Sequence, residues 1–91
     1  TPEIKISIND TEKFRVVEEL KNNFKPEGYN SILLDGLRLE EEDSWGLIRA
    51  SNTTPALVLR FEANTEKKLM QIKELFQNAL LKIDDKLNFI K

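Results

Sequence analysis

Apolar and polar residues alternate along two segments of the chain, and this alternation predicts β-strands. Near the N-terminus, isoleucine occupies every second position over residues 3–8. Residues 56–63 place Leu57, Leu59 and Phe61 on one face and more polar residues on the other. A period of two is typical of a strand with one buried face. Both segments are therefore predicted to lie in a sheet that packs on a core.

Apolar residues recur every three or four positions in two further segments, which is the spacing of an amphipathic helix. The first helix is predicted over residues 11–24, with N-cap candidates at Asn9, Asp10 and Thr11. Its expected buried stripe consists of Phe14, Val17, Leu20 and Phe24. The second helix is predicted to start after Asn64-Thr65 and to run to about Lys82. Its expected stripe consists of Leu69, Ile72, Leu75, Phe76, Ala79, Leu80 and Ile83.

Shorter strand-like segments lie between the two helices. Asp35-Gly36 separates residues 31–34 from residues 37–39, and a DG pair between apolar runs predicts a hairpin. A polar turn over residues 40–44 leads to a strand at 45–50, and a loop at 51–55 follows. Sequential strands joined by short turns pair antiparallel. The predicted fold is therefore a two-layer α+β domain: an antiparallel sheet of about four strands, two helices on one face, and a partly ordered tail at residues 84–91.

Composition limits what such a domain can do. The chain has 91 residues, which is enough for one domain over residues 1–91. It contains no cysteine and no histidine, so disulfides, thiolate sites and imidazole catalysis are excluded. The net charge is −2 and no basic stripe is present, so a nucleic-acid partner is not expected. No apolar run approaches the length of a membrane span.

One polar segment, Arg49-Ala-Ser-Asn-Thr-Thr-Pro55, is the best candidate for chemistry. No lysine occurs between residues 26 and 66, so the bases in this window are Arg38, Arg49 and Arg60. An arginine fork followed by Ser51 and other small donors suits a bound anion. The same residues also suit an ordinary polar connection whose side chains satisfy local backbone groups. On the residues alone, both interpretations stay open.

Other candidate groups favour structural roles. Ser51 lacks a nearby base, so it is not expected to act as a nucleophile. The acidic run at residues 40–43 is expected to be a solvated turn rather than a metal site. Trp45 is expected to anchor the core or an interface, and Arg60 to pair with an acid. No catalytic residue and no metal ligand is predicted.

The runs Asp35-Gly-Leu-Arg-Leu and Ser44-Trp-Gly-Leu-Ile-Arg-Ala-Ser-Asn-Thr-Thr-Pro-Ala-Leu-Val-Leu-Arg-Phe-Glu-Ala63 closely resemble the C-terminal, fourth domain of the α-D-phosphohexomutases. This is the phosphoglucomutase and phosphomannomutase family. The resemblance implies a TATA-binding-protein-like fold. It also implies that the loop binds the phosphate of a phosphosugar through Arg49, Ser51, Asn52, Thr53 and the neighbouring Thr54.

The resemblance implies further that this chain is one part of a four-domain enzyme, which agrees with its start at Thr1-Pro2 without a methionine. The parent would interconvert hexose 1-phosphate and hexose 6-phosphate in the cytoplasm. It would need Mg²⁺ and a hexose 1,6-bisphosphate activator, neither bound by this domain. Its partners would be the phosphosugar and the three preceding domains, and the isolated domain would be inactive. The alternatives are a free-standing anion-binding module and a structural capping module.

Overall fold

The structure, a computed structural model, describes residues 3–90. Its elements in chain order are β1 (Ile4–Ser7), α1 (Asp10–Asn23), β2 (Asn30–Ile32), β3 (Leu37–Glu41), β4 (Ser44–Ala50), β5 (Ala56–Ala63) and α2 (Glu66–Ile83). The strands form one sheet in the order β1-β5-β4-β3-β2, and every neighbouring pair is antiparallel. The predicted two-layer α+β architecture is confirmed.

The core lies between one face of this sheet and the two helices. Leu57, Leu59 and Phe61 of β5 point into it, as the alternation predicts, beside Ile48 of β4. The opposite face carries Arg49, which the register places beside Val58 of β5 and, across Val58, Lys5 of β1. This second face is not covered by either helix, because both helices contribute their buried apolar residues to the same core cluster.

The sheet has five strands, so the prediction of about four is low by one. The weakest of the five, β2, corresponds to the predicted segment at residues 31–34, and it is a three-residue edge strand, Asn30–Ile32, without a buried residue. Leu33 and Leu34 were predicted to extend this strand, but they lie in the turn and are exposed, Leu34 to 83%. The turn is built on positive φ angles at Asp35 (52°) and Gly36 (109°), a region that strands do not occupy.

Helix α1 begins where the sequence predicts, because the Asn9 side chain accepts a hydrogen bond of 3.0 Å from the Thr11 N–H. Val17 and Leu20 of the predicted stripe are buried and Phe24 packs against the core, but Phe14 departs from the prediction. Phe14 is 55% exposed, whereas Lys13 is buried beside Val16 and Val17. The buried positions still follow helical spacing, but a lysine occupies one of them, and an apolar pattern cannot identify such a position.

The segment after α2 is packed rather than a partly ordered tail, as far as residue 90, where the described residues end. Leu87 is buried, and the ring of Phe89 stacks on Phe61 at a centroid distance of 5.6 Å. Gln77 of α2 holds this segment, since it donates to Leu87 O (3.1 Å) and accepts from the Phe89 N–H (2.8 Å). The buried Gln77 side chain hydrogen-bonds three backbone groups of this segment. In a sheet, a neighbouring strand would satisfy such groups.

Neither helix of the described chain has the length and apolar character that crossing a membrane requires.

Candidate functional site

The loop at residues 51–55 connects β4 to β5 and is closed at its base by backbone hydrogen bonds. The Ser51 N–H donates to Ala56 O at 2.9 Å, and the Ala56 N–H donates to Thr54 O at 2.9 Å. The second bond closes a three-residue turn around Pro55, whose ring restricts φ to a value that such a turn accepts. The loop therefore leaves the sheet and returns to it within a few residues.

The Ser51 hydroxyl shapes the inside of the loop. Its oxygen accepts from the Thr54 N–H at 3.2 Å and from the Thr53 N–H at 3.4 Å, and it lies 2.8 Å from the Thr54 hydroxyl oxygen. Ser51 is buried, although the residues that follow it up to Pro55 are exposed. The N–H groups two and three residues after Ser51 have no neighbouring strand to bond to, so the serine hydroxyl accepts their hydrogen bonds instead.

This arrangement is not an anion-binding nest. A nest needs neighbouring N–H groups that face outward together, and a left-handed residue such as asparagine helps to form one. Among residues 3–90, Asp35 is the one residue other than glycine with a positive φ, so Asn52 is not left-handed. The N–H groups of Thr53 and Thr54 turn inward to Ser51 instead.

Three of the predicted site residues remain available for a ligand. The Asn52 and Thr53 side chains are exposed and have no hydrogen-bond partner within the described part of the chain. The half-buried Arg49 guanidinium likewise makes no ion pair with any group among residues 3–90. The loop thus separates into residues that shape it, Ser51 and Thr54, and residues with free donors.

The structure adds a residue that the sequence pattern missed. Lys13 of α1 is 5% exposed, and its Nζ donates to Thr54 O at 2.9 Å. The same ammonium lies 2.8 Å from the Asp10 carboxylate. In sequence, Lys13 is an ordinary helix lysine 41 positions away from Thr54, so no local signal could have found this contact.

Gly36, in the turn between β2 and β3, lies directly behind Arg49. A Cβ added at Gly36 would overlap Ile48 O and would stand 2.8 Å from the Arg49 Cβ. Only glycine leaves room for β4 at this point, and its φ of +109° is also one that other residues rarely adopt. The DG turn therefore supports the backbone that carries Arg49.

We expect Gly36→Ala to destabilise the domain by about 3 kcal/mol or more and to shift the Arg49 amide resonance, because strain and overlap act together. Gly28→Ala is the matched control: φ there is +85°, but no atom lies within 4 Å of an added Cβ. The control should lose only about 1–2 kcal/mol, the cost of the backbone conformation. Urea unfolding of both variants measures the difference, and equal losses would contradict the proposed support of Arg49.

The remaining candidates from the sequence have mainly structural surroundings. The Arg38 guanidinium lies 4.3 Å from the Trp45 ring centroid and 3.0 Å from a Glu40 carboxylate oxygen. A hydrogen bond from the Ser44 hydroxyl to Glu41 (2.7 Å) lowers the pKa of that carboxyl group. Arg60 is exposed and makes no ion pair within residues 3–90, contrary to the expected pairing.

Among residues 3–90, no three Asp or Glu side chains come together in a group that could hold a metal ion. A groove between the two helices, lined by Leu20, Phe24, Leu75 and Ala79 among others, contains none of the predicted phosphate-binding residues. The polar loop after β4 is therefore the candidate site that sequence and geometry share.

Comparison with known proteins gives a consistent result. The family model for the phosphoglucomutase/phosphomannomutase C-terminal domain matches residues 3–79. A phosphomannomutase/phosphoglucomutase of Pseudomonas aeruginosa is 47% identical over 87 residues, which are 96% of this chain and 19% of that protein. A phosphoglucomutase of Neisseria gonorrhoeae is 47% identical over 82 residues, 88% of this chain and 18% of that protein.

A solved structure, that of a phosphoglucomutase/phosphomannomutase family protein from Burkholderia thailandensis, superimposes with a TM-score of 0.83 at 36% identity. The match covers 97% of this chain and 18% of that one. The chain thus spans about a fifth of the length of the curated relatives. On sequence and structure together, it belongs to the phosphoglucomutase/phosphomannomutase family and corresponds to the C-terminal domain of that family.

Proposed function

We propose that the loop formed by Arg49, Ser51, Asn52, Thr53 and Thr54 binds the phosphate group of a hexose phosphate. The observation that carries this proposal is the Arg49 guanidinium, half-buried and without an ion-pair partner among residues 3–90, at the base of a loop with exposed amide and hydroxyl donors. A planar guanidinium donates two parallel hydrogen bonds to a phosphate, which a lysine cannot do. Family membership supports the same assignment.

Within the loop, we assign different tasks to different residues. Arg49, Asn52 and Thr53 contact the phosphate, because their donors are not used inside the described chain. Ser51 and Thr54 keep the loop in shape through the hydroxyl contact of 2.8 Å. Binding of the phosphate away from the reacting end would position the sugar, and such positioning contributes to rate without any contact to the transferred group.

In this proposal the chain, residues 1–91, is the fourth domain of a phosphohexomutase that interconverts hexose 1-phosphate and hexose 6-phosphate in the cytoplasm. The described residues do not fit a Mg²⁺ site, because no three carboxylates converge. We propose that Mg²⁺ and the hexose 1,6-bisphosphate activator belong to the three preceding domains, and that the isolated domain is inactive. The phosphosugar and those domains are its proposed partners.

The test is an NMR titration of the 91-residue chain with glucose 6-phosphate, with glucose and inorganic phosphate as matched controls. A single phosphate site on one loop buries little surface, so we expect a Kd on the order of 1 mM. Amide shifts at residues 49–54, caused by glucose 6-phosphate but not by glucose, are the expected result. Shifts of similar size with inorganic phosphate would show that the loop recognises the phosphate group.

Two outcomes would contradict the proposal. Shifts from glucose alone would place recognition on the sugar. An unchanged spectrum up to about 30 mM glucose 6-phosphate, well above the expected Kd, would favour a structural capping role for the chain.

A further inference from the structure

We propose that Lys13 is a positioning residue for the phosphate-binding loop: its buried ammonium holds the Thr54 carbonyl and so fixes the loop from below. This inference rests on the proposed function of the loop. It assigns a role to a side chain of α1, an element that contributes none of the proposed phosphate contacts.

The first observation is the burial of the charge. The Lys13 side chain is 6% exposed, although lysine normally extends its ammonium into water. A buried cation is tolerated only when its hydrogen-bonding capacity is used. Two partners do this for Lys13: Thr54 O at 2.9 Å and the Asp10 carboxylate at 2.8 Å. The Phe14 ring, whose centroid is 5.2 Å from Nζ, adds a cation–π contact.

The second observation is the contact point in the loop. Thr54 O also accepts the Ala56 N–H that closes the turn around Pro55, so the Lys13 bond acts on the atom where the loop returns to the sheet. The neighbouring carbonyl, Pro55 O, accepts from the Ile8 N–H at 3.0 Å. The segment between β1 and α1 and the helix itself thus hold adjacent carbonyls of the same turn.

The third observation shows that Lys13 acts on the loop and not directly on a ligand. The contacts of Lys13 to Thr54 O and Asp10, together with its burial, leave its ammonium little access to a ligand at the exposed side chains of Asn52 and Thr53. Its effect must pass through the backbone of Thr54, whose N–H donates to Ser51 Oγ and whose hydroxyl contacts the same oxygen. The chain of contacts therefore runs from Lys13 through Thr54 to Ser51, the residue that shapes the loop.

The test compares the Lys13→Met variant with the unmodified chain. Methionine keeps an unbranched apolar stem but removes the donor. We expect amide hydrogens at residues 52–54 to exchange about 3- to 10-fold faster, and the Kd for glucose 6-phosphate to rise by a similar factor, the usual size of one lost hydrogen bond. Lys13→Arg keeps a cationic donor and should recover part of the affinity.

Two control variants separate positioning from general effects. Lys21→Met removes another lysine of helix α1. The Lys21 Nζ lies 4.0 Å from the Glu18 carboxylate, so this variant reports the effect of removing a positive charge alone. Val16→Ala leaves a cavity in the core without touching the loop, so it reports loss of stability. Both should leave the Kd for glucose 6-phosphate unchanged within about 1.5-fold, since neither removes a hydrogen bond to the loop.

The outcomes distinguish this inference from the proposed function. If Lys13→Met has the same amide hydrogen exchange rates at residues 52–54 and the same Kd for glucose 6-phosphate as the unmodified chain, the positioning role is overturned. Weakened affinity in Val16→Ala equal to that in Lys13→Met would also overturn it, because stability would then be sufficient to explain the loss. Absence of binding by the unmodified chain would contradict the proposed function, whereas the exchange rates at residues 52–54 would still decide whether Lys13 orders the loop.

Discussion

Arg49→Ala is expected to abolish detectable binding of glucose 6-phosphate by the chain. Two charge-assisted hydrogen bonds to the phosphate would be lost, and one such bond alone corresponds to about 10- to 100-fold in affinity. In a full-length mutase that carries this domain, kcat/KM should fall by at least the same factor. The NMR titration and steady-state kinetics measure the two effects.

Arg60→Ala is the matched control for this experiment. Arg60 lies on β5, next to the strand that carries Arg49, and it is exposed without an ion pair within residues 3–90. The Arg60→Ala variant removes the same charge as Arg49→Ala does, and from the same face of the sheet. We expect less than a two-fold change in Kd, because a general field of exposed charges is screened by salt. Equal losses of affinity in both variants would show that Arg49 contributes only through its charge.

Arg49→Lys separates charge from geometry. Lysine keeps the positive charge but provides a point donor instead of a planar fork. We expect an affinity between that of the unmodified chain and that of Arg49→Ala. Full affinity in the lysine variant would show that the two parallel hydrogen bonds are not needed.

Phe76→Ala should cause the largest loss of stability in the domain, about 3–5 kcal/mol. The Phe76 ring is fully buried and makes edge-to-face contacts with Phe24 and Phe61, each at a centroid distance of 5.2 Å. Its position also depends on Gly46, where an added Cβ would lie 2.7 Å from the ring. For a domain of this size, the expected loss lowers Tm by more than about 12 °C.

Phe14→Ala is the control, and it tests the corrected face of α1. Phe14 was predicted to lie in the core but is 55% exposed. We expect a loss of at most about 1 kcal/mol, because the exposed ring contributes only the cation–π contact with Lys13, 5.2 Å from Nζ to the ring centroid. Thermal unfolding followed by circular dichroism compares the two variants. A loss of several kcal/mol from Phe14→Ala would mean that α1 is rotated relative to the structure described above.

The types of the main elements follow from the sequence, because the periods of strands and helices are local properties. β5 has the predicted bounds, residues 56–63, and the Asn9 cap and the polar loop before β5 are also where the residues predict them. The DG pair predicted the hairpin of β2 and β3, but β2 was placed at residues 31–34 instead of Asn30–Ile32, because this short exposed strand has no alternation to fix its bounds. The segment after α2 is ordered by Gln77, and a contact between distant residues leaves no local pattern.

At the candidate site, too, the sequence predicts the residues and the tertiary structure decides how they are held. The residue types of the loop, together with the family resemblance, predict Arg49, Ser51, Asn52, Thr53 and Thr54 as the phosphate-binding residues, and this assignment stays a prediction. Only the tertiary structure decides which of their donors are free, because that depends on hydrogen bonds within the folded loop. It also brings Lys13 beneath Thr54 and Gly36 behind Arg49. Such supports join residues that are far apart in sequence, and packing rather than local propensity places them.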